Sequence, residues 1–436
     1  MPSSPAIHLV AQEARALLTR LWRVKPYALN MPMVSAATVA PRAQAAIEMH
    51  MSVGKQRLEA MMREFLAELE ASDASTRPAE VQRKFAALRM RFNAVLTQFD
   101  IFADVLVQRS EHGTGVWIAG LDDLAADALS IVGPYAELPP VICYLYRGIG
   151  AAIRRARTRL PGGDVNPVGI IRIPRERMVG SGIASSLVHE AGHQGAEVLG
   201  LVSSLRQVLI ERQSQHSEQP AWRLWERWIS EIVADVWSLG LLGLTATQGL
   251  LAVVSLPRPF VFRIAEDDPH PFPWFRVKIG CAIGNALYPD SQWARLARIW
   301  EELYPPGGLD ERRRAVIRGL EATLPEFVET LLDHRPESLG GRRLRDLFPL
   351  SERTPVRLRA YMQEARRDPA LLRRIPPTLA FAILGQARAE DMITPEQEGD
   401  ALAHLLTHWA VRSSLDTSIL CASTSAPFAG AARLAS

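Results

Sequence analysis

The sequence predicts a predominantly helical α+β fold, because long stretches have the apolar period of helices and only short runs have the composition of strands. Residues 37–72 and 76–110 repeat apolar side chains every three or four positions, as amphipathic helices do. Ser75 and Pro78 lie between these stretches and are typical of a helix start, since proline is favoured in the first turn. We therefore expect an antiparallel pair of helices near the N-terminus.

Two short runs rich in β-branched and aromatic side chains predict strands. They are residues 141–145 and residues 170–173, and we expect them to be neighbours in a small sheet. The second run lies between Pro167 and Pro174. Because proline cannot donate a hydrogen bond to a strand ladder, this run is predicted to be an edge strand.

The C-terminal part of the chain returns to helical spacing after the turn-forming residues 305–308. Predicted helices span residues 309–332, 355–367, 370–388 and 395–411. From residue 413 to residue 436, alanine, serine and threonine dominate. Such a composition buries little apolar surface, so this tail is predicted to be disordered.

The segment His189-Glu190-Ala191-Gly192-His193 has the spacing of a metal site on a helix. Residues four apart lie on the same helix face, so His189 and His193 can present imidazole nitrogens to one metal ion. Glu190 projects beside them, where it can act on a water molecule. This is the arrangement of a zinc hydrolase. The alternative is a buried helix whose two histidines only form hydrogen bonds to their neighbours.

Two histidines do not complete a zinc site, so a third protein ligand must come from elsewhere. The metzincin continuation is absent, because Ala196 and Leu199 stand at its glycine and histidine positions. Glu197 lies about 5 to 6 Å further along the helix axis and is out of reach. Glu231 and Asp235 are four apart on a later predicted helix. One of these carboxylates can bind the metal while the other forms a hydrogen bond to a ligand histidine.

The pattern HExxH followed by ExxxD resembles the gluzincins, the thermolysin-like clan of zinc metallopeptidases. The resemblance implies a core with a small sheet beside the zinc helices. It also implies His189, His193 and Glu231 as Zn²⁺ ligands, Glu190 as general base, and Asp235 as a partner that orients a ligand.

On this resemblance, the metallopeptidase core occupies residues 136–304, between helical regions at 1–135 and 305–412. The gap from His193 to Glu231 is 231 − 193 = 38 residues, longer than in thermolysin, so a segment is inserted between the two metal-binding helices. Residues 203–220 form this polar insertion. We expect a surface excursion, and a lid over the cleft is the alternative.

A stiff loop offers a further candidate at His270, which has proline on both sides. The resemblance implies a non-ligand histidine that stabilises the oxyanion of the tetrahedral intermediate. His270 can serve as this group, with Asp267 or Asp268 holding its tautomer and Arg276 bracing the cleft. The alternative is a loop histidine that packs against a neighbour or caps a helix.

The predicted chemistry is metal-assisted hydrolysis of an amide. Zinc lowers the pKa of water to about 7, Glu190 takes the proton and passes it to the leaving nitrogen, and His270 helps to stabilise the oxyanion. The predicted edge strand at residues 167–174 favours a peptide or protein substrate, because such a strand pairs with extended substrate backbone in the resembled fold. The alternative is a helical scaffold or assembly component with a structural, non-catalytic zinc site.

Composition limits the other partners. The net charge is only +3 and no basic stripe with interleaved aromatic residues is present, so no nucleic acid partner is expected. Three widely separated cysteines do not make a disulfide framework and favour a reducing compartment. The N-terminus has no pattern of a secretory signal, so the expectation is a cytoplasmic enzyme.

Residues 236–257 carry no charge and are long enough to span a bilayer. They contain several glycine, serine and threonine residues and follow directly on the helix with Glu231 and Asp235. We therefore expect buried core helices interrupted near Gly243 and no stable membrane insertion.

A second pair of histidines, His404 and His408, is also four apart on a predicted helix. No glutamate lies between them. We expect ordinary surface or core histidines here, and a second metal site is the alternative.

Overall fold

Helices make up most of the chain, as the sequence predicts. The structure is a computed structural model that describes residues 4–24, 32–73, 75–148, 150–175, 180–215, 220–265 and 267–425. Three short strands form one small mixed sheet within these residues. The predicted class, α+β and predominantly helical, is therefore confirmed.

The described residues form α-helices and three β-strands. In chain order they are α1 (Pro5–Arg23), α2 (Pro41–Glu70), α3 (Pro78–Val107), α4 (His112–Ser130), β1 (Val141–Tyr146), β2 (Ala152–Arg154), β3 (Gly169–Pro174), α5 (Ser181–Val198), α6 (Leu201–Gln215), α7 (Ala221–Leu242), α8 (Leu244–Val254), α9 (Arg258–Val261), α10 (Pro273–Leu287), α11 (Ser291–Leu303), α12 (Glu311–Leu332), α13 (Pro355–Arg367), α14 (Leu371–Arg374), α15 (Pro377–Ala389) and α16 (Pro395–Ser425).

The chain divides into two compact units that are discontinuous in sequence. The first unit contains the described parts of Met1–Val116, Arg155–Gly169 and Ser413–Ser436. The second contains the described parts of Trp117–Arg154 and Ile170–Arg412. All of the predicted site residues belong to the second unit.

The first unit is built on α1, α2 and α3, which pack against one another. The two longer helices match the helical stretches predicted at residues 37–72 and 76–110. Proline occupies the first turn of each helix, where its missing N–H would have no partner within the helix. Phe65 of α2 stacks on Phe85 of α3 with ring centroids 6.0 Å apart.

The sheet of the second unit has the order β1-β3-β2, so the predicted neighbours β1 and β3 do lie side by side. The prediction that residues 167–174 form an edge strand is wrong, because β3 is the central strand. Its antiparallel pairing with β2 joins Ile170, Ile171 and Arg172 to their partners. Pro167 precedes the strand and Pro174 ends it. Neither proline interrupts the paired segment, so neither confines the strand to an edge.

The long uncharged segment forms two helices, as predicted. Helix α7 ends at Leu242, Gly243 follows with a left-handed φ of 58°, and α8 begins at Leu244. Glycine adopts this conformation without the steric penalty that a side chain would impose. Among the described residues, no helix is both long and apolar enough to cross a membrane.

The insertion between the two motif-bearing helices is mostly helical. Helix α6 covers Leu201–Gln215 and packs against α7. Its buried positions are Leu201, Leu205 and Leu209, which repeat every four residues and form one apolar face. Residues 216–219 of the insertion lie outside the described residues.

The C-terminal helices follow the predicted order with two differences. The stretch predicted as one helix at 370–388 forms α14 and α15, because Pro376 and Pro377 lack the N–H groups that a continuous helix needs. Helix α16 extends to Ser425, past Ser413, where the sequence predicts the start of a disordered tail. Residues 426–436 of that tail lie outside the described residues.

Candidate metal centre

Two glycines allow α5 and α7 to pack closely enough to share a site. A Cβ atom added at Gly192 would lie 2.6 Å from Trp237 Cβ, and one at Gly195 would overlap the indole ring of the same tryptophan. Trp237 is fully buried on α7, and its Nε1 donates a hydrogen bond of 2.8 Å to the Ala128 carbonyl oxygen. The indole therefore lies directly on the α5 backbone. Helix α5 itself begins after Gly180, which has a φ of 99°.

This packing brings together the three predicted ligands. One ligand atom each from His189, His193 and Glu231 lies within 4.8 Å of the others. His189 Nε2 is 3.2 Å from Glu231 Oε2, and His193 Nε2 is 3.5 Å from Glu231 Oε1. All three side chains are between 12% and 15% exposed, so the cluster is shielded but not sealed.

The cluster fits a zinc ion in its donors and in its spacing. Zinc binds imidazole nitrogen and carboxylate oxygen at about 2.0 to 2.2 Å in tetrahedral geometry, which separates two ligand atoms by about 3.4 Å. The two nitrogen-to-oxygen distances of 3.2 and 3.5 Å bracket that value. Both distances also suit hydrogen bonds between histidine and glutamate. The metal content of the protein therefore distinguishes a metal site from a hydrogen-bonded cluster.

Asp235 and Arg276 fix the orientation of His189 through its Nδ1 atom. His189 Nδ1 donates to Asp235 Oδ1 at 2.8 Å, and Arg276 donates two hydrogen bonds of 2.8 Å to the same carboxylate. Burial would raise the pKa of Asp235, but the charge of Arg276 and the hydrogen bond from His189 hold it well below its usual range. Asp235 is therefore ionised and places the proton of His189 on Nδ1, which leaves Nε2 facing the cluster.

The charges inside the cluster are strongly coupled. Burial would lower the pKa of His189, but its hydrogen bonds with Asp235 and Glu231 raise it to about 9. Burial would raise the pKa of Glu231, but hydrogen bonds from His189, His193 and His270 outweigh this and lower it. In the metal-free protein a carboxylate therefore faces a protonated imidazole, and a metal ion would replace that proton.

Glu190 lies next to the cluster and is not committed to another contact. It is 8% exposed, and burial raises its pKa while the nearby His189 and His193 partly oppose the shift. No described residue donates a hydrogen bond to its carboxylate. A buried carboxylate with a raised pKa and free oxygens binds a proton more readily than an exposed one, so it can accept a proton and pass it on.

His270 reaches the cluster from the loop before α10. Its Nε2 lies 3.3 Å from Glu231 Oε2, and its Nδ1 lies 2.8 Å from Asp268 Oδ1. Of the two aspartates that the sequence offers, Asp268 is therefore the partner of this histidine. The side chain of His270 is 48% exposed, so it lies at the solvent-facing side of the cluster.

No fourth protein ligand completes the cluster among the described residues. The group of His, Cys, Asp and Glu side chains close enough to share one ion contains only His189, His193 and Glu231. His270 contacts Glu231 but does not belong to this group. Structural zinc sites use four protein ligands, whereas catalytic sites keep one position open.

A groove of about 590 Å³ beside α7 is a feature that the sequence did not reveal. Leu224 and Arg227 line it and lie on the same face of α7 as Glu231, at spacings of three and four residues, and Pro220 lines it just before the helix begins. Arg227 is about 6 Å along the axis from Glu231. Ile264 and residues 310–316 supply the other walls, and their separation in sequence explains why no local pattern predicts the groove.

The structure brings together every predicted site residue except Asp267. Comparisons of the chain with protein-family models, with curated proteins and with solved structures found no match.

Proposed function

We propose that this protein is a zinc-dependent metallopeptidase of gluzincin type. The observation that carries the proposal is the three-ligand cluster of His189, His193 and Glu231, which lacks a fourth described ligand and has the uncommitted Glu190 beside it. Two histidines and a glutamate are a donor set of catalytic zinc sites. Asp235, behind His189, supplies the carboxylate that fixes the ligand tautomer.

The residues of this site can carry out the proton transfers of amide hydrolysis. A bound zinc ion would supply Lewis acidity for the carbonyl group and for the attacking water. Glu190 would accept a proton from that water and deliver it to the leaving nitrogen, a role that its raised pKa favours. His270 would donate from Nε2 to the developing oxyanion, and Asp268 would orient the ring through Nδ1.

We propose a peptide or protein substrate, but on other grounds than the edge strand that the sequence predicts at residues 167–174. The central position of β3 removes the expected pairing of substrate with that strand. Strands β1 and β2 are the two edges of the sheet, and β2 also packs against α5. The outer edge of β2 can form a short ladder with an extended peptide. The groove lined by Arg227 would take side chains of the substrate, because Arg227 is about one helical turn from Glu231 along α7.

The rival function, a scaffold with a structural zinc site, is less compatible with this arrangement. A structural site would be closed by a fourth ligand and would have no use for a carboxylate without hydrogen bonds beside it. The described cluster has three ligands, and Glu190 has that uncommitted carboxylate.

The test compares Glu190→Gln with the unmodified protein on a library of internally quenched peptides. We expect zinc content and fold to be kept and hydrolysis to fall by about 100-fold or more, because proton transfer is lost and coordination is not. Glu197→Gln is the matched control, since Glu197 is exposed on the same helix. Equal loss in both variants, or none in either, would contradict the role of Glu190.

A further inference from the structure

A second cavity, of about 470 Å³, lies in the C-terminal part of the second unit. Its walls come from α13, α14, α15 and α16 and the segments between them. The floor is apolar and consists of Met362, Leu372, Leu384, Ile393 and Leu405, all buried or half-buried. Met362 also belongs to a small separate hydrophobic cluster, so the cavity is a gap beside apolar packing.

The rim of this cavity is cationic. Arg366, Arg373, His404 and His408 line it, and no acidic residue does. Arg366 is held in place by a hydrogen bond of 2.8 Å from its Nη2 to the Met392 carbonyl oxygen. No described residue forms an ion pair or hydrogen bond with the guanidinium group of Arg373, whose backbone N–H donates to the Ala370 carbonyl oxygen.

Two acidic side chains near the rim pair with arginines that do not line the cavity. Asp368 pairs with Arg374 and Glu390 with Arg359. The electrostatic effect is visible at His408, whose pKa is lowered by burial and by the charges of Arg373 and Arg412. A ligand with negative charge would therefore be favoured at this rim.

We propose that this cavity binds a single-chain carboxylate of the fatty-acid type. The hydrocarbon chain would lie on the apolar floor, and the carboxylate would meet Arg366 and Arg373 at the rim. The volume is within the range of small-molecule sites, about 300 to 1,000 Å³, and is near its lower end, which suits one chain and not a lipid with two. A singly charged head group suits this rim. The guanidinium of Arg373 has no partner among the described residues, whereas that of Arg366 already donates to a backbone carbonyl oxygen.

On this proposal, the histidine pair of α16 lies beside the ligand. His404 Nδ1 donates to the Asp400 carbonyl oxygen at 2.8 Å, which fixes its ring at the rim. His404 and His408 do not belong to any group of metal-binding side chains among the described residues. Their role would be to border the head group and not to hold an ion.

The test is titration calorimetry with decanoate, decanol, decyl phosphate and decyltrimethylammonium, each below its aggregation concentration. We expect decanoate to bind with one site per chain and decanol to bind about 10-fold more weakly, since it lacks the charge-assisted hydrogen bonds. The cationic amphiphile should not bind. Tighter binding of decyl phosphate, equal binding of decanol, or no binding of decanoate would overturn the proposal.

Variants locate the binding in this cavity. Arg373→Gln should weaken decanoate by about 10-fold and leave decanol unchanged, because only the charged contact is removed. Arg367→Gln is the matched control, since Arg367 is exposed on the same helix as Arg366 and does not line the cavity. Ala401→Trp should fill the cavity and abolish binding of both. If the two arginine variants behave alike, or if decanoate binds Ala401→Trp normally, the proposal is wrong.

Discussion

Asp235 joins two buried partners, because it accepts hydrogen bonds from both His189 and Arg276. We predict that Asp235→Asn weakens zinc binding by about 10- to 100-fold, since the ligand histidine loses its orienting carboxylate. The free energy of unfolding should also fall, by about 3 kcal/mol, because the buried Arg276 would lose the carboxylate that accepts both of its hydrogen bonds and would keep only the longer 3.8 Å contact with Glu231. Competition with a chelator and denaturant titration measure the two effects.

The matched control for this prediction is Asp268→Asn. Asp268 also holds a histidine, but it is 50% exposed and contacts no predicted ligand. Its removal should change neither zinc affinity nor stability by a measurable amount. The same loss of zinc affinity in both variants would contradict the role of Asp235 in orienting the ligand His189.

His270 decides whether the site stabilises a transition state. We predict that His270→Ala lowers turnover by about 10²- to 10³-fold while zinc content and melting temperature stay nearly unchanged, because a half-exposed loop side chain contributes little to packing. Single-turnover kinetics and thermal denaturation provide the comparison. A fall in melting temperature with unchanged turnover would instead assign His270 a packing role.

At this scale the sequence predicts which residues come together better than it predicts how they pair. The spacing of His189, Glu190 and His193 is enough, because a helix places residues four apart on one face. The choice between Asp267 and Asp268 is not predictable, since both are adjacent and only the loop conformation decides which oxygen meets His270.

The contact between α5 and α7 depends on glycine at the crossing. We predict that Gly192→Ala destabilises the protein by about 1 to 3 kcal/mol and weakens zinc binding, because the added methyl group would overlap Trp237 and push the helices apart. Denaturant titration and zinc competition measure this.

The control is Gly182→Ala on the same helix, where a Cβ atom would have no neighbour within 4 Å. That substitution should be neutral or stabilise the protein by up to about 1 kcal/mol, through the higher helix propensity of alanine. If Gly192→Ala is equally harmless, the close crossing is not what positions the ligands.

The sequence predicts which elements exist better than it predicts how they are arranged. Apolar spacing identifies α2, α3 and α12, because each has a buried face that repeats along the helix. The position of β3 in the sheet is missed, since strand order depends on partners far away in the chain. The close crossing at Gly192 and Gly195 is missed as well, although their spacing of three residues on one face is a signal that could have indicated it.

At the scale of the whole molecule, both units are assembled from separated stretches of sequence. Residues 155–169 belong to the first unit, although the sequence analysis divides the chain into consecutive regions. The cavity rimmed by Arg366 and His404 likewise combines four helices. Such features follow from tertiary packing, which local periodicity does not encode.

Zinc binding should be coupled to the release of a proton from the protein. The pKa of His189 is raised from 6.5 to about 9 in the metal-free protein, so its stabilising contribution is complete below about pH 6.5 and is lost as the pH rises through 9. Zinc must displace that proton, so binding at about pH 7.5 should release about one proton. Titration calorimetry in buffers of different ionisation enthalpy counts the protons. A binding enthalpy that does not depend on the buffer would contradict this.

The central claim is that His189, His193 and Glu231 hold one zinc ion, and the metal content of purified protein tests it most directly. We predict about one zinc per chain in the unmodified protein and in His404→Ala, and almost none in His193→Ala or Glu231→Ala, because two ligands do not retain zinc during purification. Full zinc occupancy in His193→Ala, or no zinc in the unmodified protein after expression with added zinc, would contradict the account.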